Sequence, residues 1–255
     1  MKYLSLAIIY LLLGQLAFGQ EPSPQYIFHK ANSLYEQQRY LDAAGEYNRL
    51  IDMGLEAGNI YYNLGNCYFR LGKLGYAILN YERARRFMPR DGDLRANYEY
   101  ARSLVKQSSG VGQRHWLSRL TDILFGGLTL DGLAIFLSVV YILSLLLFAA
   151  RLCLAAKRGQ ILALLIFLCL LFFLGLFSFV RRASYDNRRA IIVAEEAAAG
   201  FEPRDNSTRH FTVYEGAAVD IVGERAGWAK ISRGDGKVGW VKRMAVEMVV
   251  DNLGL

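Results

Sequence analysis

Apolar and polar residues fall in distinct blocks along the chain. The first is an apolar run from Leu4 to Leu13, preceded by the single cation Lys2 and followed by Ala17-Phe18-Gly19. One charge, an apolar core and small residues at the positions a signal peptidase reads predict a secretory signal peptide over residues 1–19, cut before Gln20. The other reading is an uncleaved signal anchor, and either one exports the segment after it. Residues 24–107 are polar and aromatic with helical periodicity. A junction covers residues 108–127: Ser108, Ser109, Gly110 and Gly112 make a flexible stretch, then Trp116, Leu117, Leu120, Ile123 and Leu124 recur at helical spacing. That stripe predicts either a helix lying in the membrane interface, with Trp116 at headgroup depth, or the first turns of a longer span.

Two uninterrupted apolar stretches come next. Gly132–Ala150 carries no charge over 19 positions, and Ile161–Val180 none over 20. At about 1.5 Å rise per residue each matches a hydrocarbon layer roughly 30 Å thick. Transmembrane helices are therefore expected over 128–152 and 160–180, and the short connection with Arg151, Lys157 and Arg158 makes them a hairpin. This basic connection favours the cytoplasmic side, whereas Arg181, Arg182, Arg188 and Arg189 after the second span argue the opposite way. The signal sequence decides: two spans return the chain to the side its exported part reached, so both flanking parts face outward.

Residues 190–250 read as short strands. Ile191-Ile192-Val193, Val219–Val222, Trp228–Ile231 and Val238–Val241 are β-branched or aromatic, and Glu215-Gly216, Arg225–Gly227 and Gly234–Gly236 supply turns. About 60 residues of short strands predict a small all-β barrel.

The strongest signal is a repeat of 34 residues starting at Pro24 and at Gly58. In the second window Tyr61, Leu64, Gly65, Tyr68, Ala77, Tyr81, Ala84 and Pro89 stand at positions 4, 7, 8, 11, 20, 24, 27 and 32. Ala31, Leu34, Ala43, Tyr47 and Leu50 match in the first, where Leu55 replaces the closing proline. Small residues at positions 8 and 20 let two antiparallel helices approach, the aromatic at 24 fills the gap to the next repeat, and proline ends the second helix. The pattern resembles the tetratricopeptide repeat (TPR), with repeats at 24–57 and 58–91. A capping helix over 92–107 carries Leu94, Tyr98, Ala101 and Leu104/Val105 on one face. The resemblance implies a concave groove that binds peptide segments. Phe28, Asn32, Tyr35, Tyr62, Asn63, Asn66, Phe69 and Arg70 line it, offering amides to an extended backbone and aromatics to side chains. An exposed aromatic surface of this kind is costly to leave wet, and such patches mark partners. Asn32 and Asn63 also match members that clamp a terminal carboxylate, but Phe28 and Asp93 occupy the lysine positions of such clamps.

The last block resembles a bacterial SH3 domain in Glu215-Gly216, Trp228-Ala229-Lys230-Ile231 and Asp235–Val241. Trp228 and Trp240 are expected to supply core area, and also an exposed ligand shelf beside Gly239. Where that family shows an Arg-x-x-Pro-Ser-like element, this chain has Glu202-Pro203-Arg204 and Asp205-Asn206-Ser207. The resemblance implies protein or cell-wall ligands, peptidoglycan among them.

Composition narrows the chemistry. With 53% hydrophobic residues, 4 prolines and 3 cysteines in 255 residues, the chain is neither disordered, collagen-like nor disulfide-stapled. The net charge of +7 shows no basic domain or stripe, which gives nucleic acid no footprint. His29, His115 and His210 lie in three regions without a second ligand at metal spacing, and no Cys-x-x-Cys, phosphate-binding glycine loop or nucleophile elbow occurs. No enzyme activity, metal or cofactor is expected.

The whole is expected to be multi-domain: an all-α TPR helical array, a two-helix transmembrane hairpin and an all-β SH3-like small barrel. That order, together with the Pro89–Asn97 junction, resembles the TPR-containing member of the bacterial aerotolerance (Bat) operon proteins. The resemblance implies a two-pass protein of the bacterial inner membrane with both soluble modules on the periplasmic side. It implies an envelope-stress scaffold with von Willebrand-type membrane partners. A cell-wall-binding sensor using the SH3-like module is the alternative.

Overall fold

The computed structural model describes residues 22–106, 116–153, 158–186 and 188–250. The signal-peptide segment, the Ser108–Gly112 stretch, His115 and Lys157 lie outside them.

Five helices open the described chain: α1 (Pro24–Glu36), α2 (Tyr40–Asp52), α3 (Gly58–Arg70), α4 (Leu74–Phe87) and α5 (Gly92–Ser103). Ser23 caps α1 by accepting from the Tyr26 amide, with Pro24 in the first turn, and Asp91 caps α5 by accepting from the Leu94 amide at 2.8 Å. The α1–α2 and α3–α4 hairpins repeat one geometry. Gly72 turns the second with φ 74°, and Gln38, one repeat earlier, takes φ 61° without being glycine. Ile27, Ala31, Tyr47 and Leu50 fill the first hairpin. In the second, a Cβ built on Gly65 would stand 2.7 Å from the Tyr81 ring, which is why position 8 must be small. On α5, Leu94, Tyr98 and Ala101 are buried over α4; the helix ends at Ser103, after which Leu104 is exposed and Val105 packs against the array core.

Helices α6 (Trp116–Phe125), α7 (Leu130–Cys153) and α8 (Arg158–Asp186) come next. Leu130–Leu152 and Gly159–Ala183 are each long and apolar enough to cross a membrane. They run antiparallel: Leu137 faces Gly175, and the Tyr141 and Phe172 rings lie 6.4 Å apart. The second helix extends beyond the 160–180 expected for its span. Between α6 and α7 the chain breaks at Gly126-Gly127, where a Cβ on Gly126 would meet the Asp122 carbonyl oxygen at 2.1 Å. Of the two sequence readings for this stripe, α6 is a separate helix and not the start of a span.

The chain closes in a seven-stranded antiparallel sheet: β1 (Arg189–Ile192), β2 (Glu196–Gly200), β3 (Arg209–Tyr214), β4 (Ala218–Arg225), β5 (Trp228–Arg233), β6 (Val238–Lys242) and β7 (Val246–Met248), in the order β3-β2-β6-β5-β4-β1-β7. All seven strands send side chains into one core, so the sheet curls around it. That core is small, mostly aliphatic with Phe211 among it, and contains neither tryptophan, contrary to the core role expected of them. Ala229 and Ile231 on β5 and Gly239 and Val241 on β6 point inward, and the strand period of two turns Trp228 and Trp240 to the outer face. A Cβ on Gly239 would sit 2.9 Å from that of Ala199, so the small residue sets the strand spacing there.

Array and sheet share a seam. On β1, Ala190 and Ile192 enter the sheet core while Ile191 joins Ile78, Leu79 and Leu94 in the array core, as does Val249. A strand buried on both faces reads as a continuous apolar run. Backbone meets backbone closely: a Cβ on Gly75 would lie 2.5 Å from the Ile192 carbonyl oxygen. The Gly75 amide donates to Glu215 at 2.8 Å, and Arg83 donates to the Val249 and Met248 carbonyls at 3.1 and 3.0 Å. Because the two units flank α7 and α8 in sequence yet share this core, the chain enters and leaves the apolar hairpin from one side.

Candidate functional site

The face of the array formed by α1, α3 and α5 is organised by asparagines. The Asn32 Oδ1 accepts from the Tyr47 hydroxyl and from Asn63 Nδ2 at 3.3 Å. One repeat later, Asn66 Oδ1 accepts from the Tyr81 hydroxyl at 2.8 Å and from Asn97 Nδ2 at 3.2 Å. The equivalence is complete: position 24 of each second helix and position 6 of the following first helix converge on the position-9 amide. Asn97 also donates to the Tyr62 hydroxyl at 2.9 Å. With Oδ1 occupied, each position-9 side chain is held fixed. Among the described residues Asn32 Nδ2 makes no hydrogen bond, and Asn66 Nδ2 lies beside the Tyr62 hydroxyl that already accepts from Asn97.

The aromatics are more enclosed than an open groove would have them. Phe28 sits edge-on to Tyr47, Tyr35 to Tyr40, Tyr62 against Tyr81 and Phe69 against Tyr100, and all four groove aromatics are half-buried. Their apolar area is covered chiefly by neighbouring helices, which corrects the expectation of a freely wet aromatic surface. Burial pushes the hydroxyls of Tyr35 and Tyr62 above the usual tyrosine range, and those of Tyr47 and Tyr81 further. Arg70 is exposed and donates to the Tyr40 hydroxyl at 2.8 Å. Tyr100 was missed by sequence. It occupies position 9 of the third first-helix, where the other two carry asparagine, and is 59% exposed. Continuing the 34-residue register into α5 is the signal that finds both it and Asn97.

The other chemistry is dispersed. Cys67 is buried, and burial pushes its thiol up to about 12. His29 is exposed, and His210 stacks on Phe201 at 4.5 Å. On the outer face of the sheet, Trp240 lies under the Lys230 ammonium at 5.9 Å. Trp228 lines a shallow cleft of about 550 Å³ with Asp205, Lys242, Arg243, Met244 and Glu247. The two tryptophans thus serve separate patches of that face.

Residues 58–91 match the family model of the tetratricopeptide repeat. No curated protein matches the chain.

Proposed function

We propose that the chain is a membrane-anchored, non-catalytic adaptor whose array holds an extended segment of a partner protein along its concave face. A tetratricopeptide repeat suggests a protein–protein interaction scaffold. The observation that carries the finer reading is the repeated amide lock. Oδ1 of Asn32 and Asn66 is spent on fixing the side chain; Asn32 Nδ2 is the donor left for a partner's backbone carbonyl, and Asn66 Nδ2 shares its two hydrogens between the Tyr62 hydroxyl and that carbonyl. The two hydrophobic helices anchor the array, and export would place array and sheet together outside the bacterial inner membrane. Envelope-stress assemblies, with von Willebrand-type membrane proteins as partners, are the setting this reading favours.

Aspartate separates binding from folding at these positions. Asn32→Asp with Asn66→Asp keeps the acceptor for Tyr47 and Tyr81 but removes the donor. Partner recovery with the full chain from solubilised membranes should fall about tenfold or more, the loss of about one donor contact per site, while the melting temperature holds. Unchanged recovery would refute groove binding. The second reading, a cell-wall sensor, draws on the Trp228 cleft, where the indole lies among Lys242 and Arg243, themselves paired with Asp205 and Glu224. It gains if purified peptidoglycan retains the full chain and Trp228→Ala releases it.

A further inference from the structure

We infer that α6 is an interfacial lipid anchor: its Trp116–Leu120–Ile123–Leu124 face lies among headgroups and upper acyl chains and fixes the array against the bilayer. The inference rests on the reading that α7 and α8 span that bilayer. Helix α6 is strongly two-sided. Thr121 and Phe125 are buried, with Phe125 against Phe136 of α7 and near Gly175 of α8. The other side is left open, with Trp116 70% and Ile123 80% exposed. The four apolar residues keep the spacing of a single helical face.

The depth of this face is set by polar contacts. Asp122 pairs with Arg181, and Arg182 donates to the Leu128 carbonyl at 2.9 Å. Both arginines sit where the apolar stretch of α8 runs out, and Leu128 shortly precedes α7. Helix α6 therefore lies level with the end of the hairpin, not its middle. Its open face continues the exposed apolar surface of α7, where Ile135 and Val139 are also open. A surface of that kind at that depth is covered by lipid, and tryptophan is the side chain that prefers this layer. The array reaches down to it. A Cβ on Gly127 would lie 2.2 Å from Arg90 Nε, so Arg90, next to the repeat's closing Pro89, touches the α6–α7 turn.

The test uses the full chain in phosphatidylcholine nanodiscs with plain or brominated acyl chains. Resistance to alkaline extraction from vesicles first checks the spanning reading by itself. Trp116 emission is then the component that Trp116→Phe removes. Bromines high on the acyl chains should quench that component about twofold or more, and deep bromines less, as for an interfacial ring. Ile123→Glu should reduce the quenching. A chain that resists extraction but whose Trp116 emission ignores bromine overturns the proposal. So do discs holding two chains with Trp116 shielded from lipid, since a second copy would then cover the face.

Discussion

Glu82 of α4 and Arg189 of β1, 107 positions apart in sequence, meet at 3.0 Å in the seam between array and sheet. The Tyr98 hydroxyl donates to the same carboxylate oxygen, and Arg85 lies 3.6 Å from the other. One carboxylate thus ties the last repeat, the capping helix and the first strand. Burial alone would raise the Glu82 carboxyl, but Arg189 and Arg85 and the hydrogen bonds outweigh it and hold it below the usual range.

A group with a depressed folded value adds stability that is present above its unfolded value and lost as pH falls through the folded one. The seam should therefore weaken as pH drops below about 4.3, the ordinary glutamate value. Glu82→Gln should cost about 1–3 kcal/mol at neutral pH, because it removes the carboxylate that Arg189, Arg85 and the Tyr98 hydroxyl share in a largely desolvated place. Urea unfolding of the full chain in detergent, monitored from pH 7 to pH 3, should show the variant losing less stability than the parent over that range. Parallel curves would mean that Glu82 carries none of the acid sensitivity.

Gly65 and Gly45 make a matched pair of helix glycines. A Cβ on Gly65 strikes Tyr81, whereas one on Gly45 of α2 meets nothing within 4 Å. Gly65→Ala should cost about 1–3 kcal/mol by overpacking, and Gly45→Ala should add up to about 1 kcal/mol through helix propensity. Thermal unfolding by circular dichroism reads both signs. Equal effects would mean that the α3–α4 approach is not set by Gly65.

Gln38 holds a left-handed backbone where the next repeat has Gly72. Replacing it with glycine should relieve about 1 kcal/mol of strain, partly offset by the freer unfolded chain. A raised melting temperature for Gln38→Gly, with Gln38→Val lowering it, is the expected pattern.

Excising the array should harm it. Ile78 and Leu79 rest against Ile191 and Val249, which a fragment of residues 22–106 lacks. Such a fragment should melt lower than the array within the full chain, and adding residues 188–250 as a separate chain should recover part of the difference. A fragment as stable as the full chain would dissolve the shared core.

The array was legible because its packing is local: Gly65, Ala77 and Tyr81 meet inside one 34-residue unit. Both long apolar helices were legible for the same reason. Strands β2 and β3 were not, since Ala197-Ala198-Ala199 and Arg209-His210 carry little β signal and are placed by pairing with β6 and with each other. The Ile191-Ile192-Val193 run announced a strand but not that Ile191 would cross into another core. Nothing in the sequence marks Glu82 and Arg83, because their seam partners Arg189 and Val249 lie more than 100 positions away. The sequence reading gave Asn32 and Asn66 wholly to a partner. The structure spends half of each amide on Tyr47 or Tyr81, whose rings fill the gap between repeats while their hydroxyls hold the lock.

The proposed partner site is the array face that carries Asn32 and Asn66, not the sheet. A photo-reactive phenylalanine placed in the full chain at Tyr100, beside Phe69 on that face, and separately at Trp240 on the sheet's outer side compares the two in intact membranes. The expected result is a discrete protein adduct from the Tyr100 position, absent from the Trp240 position and lost when Asn66→Asp is added. Adducts from Trp240 alone, or a Tyr100 adduct indifferent to Asn66→Asp, would contradict it.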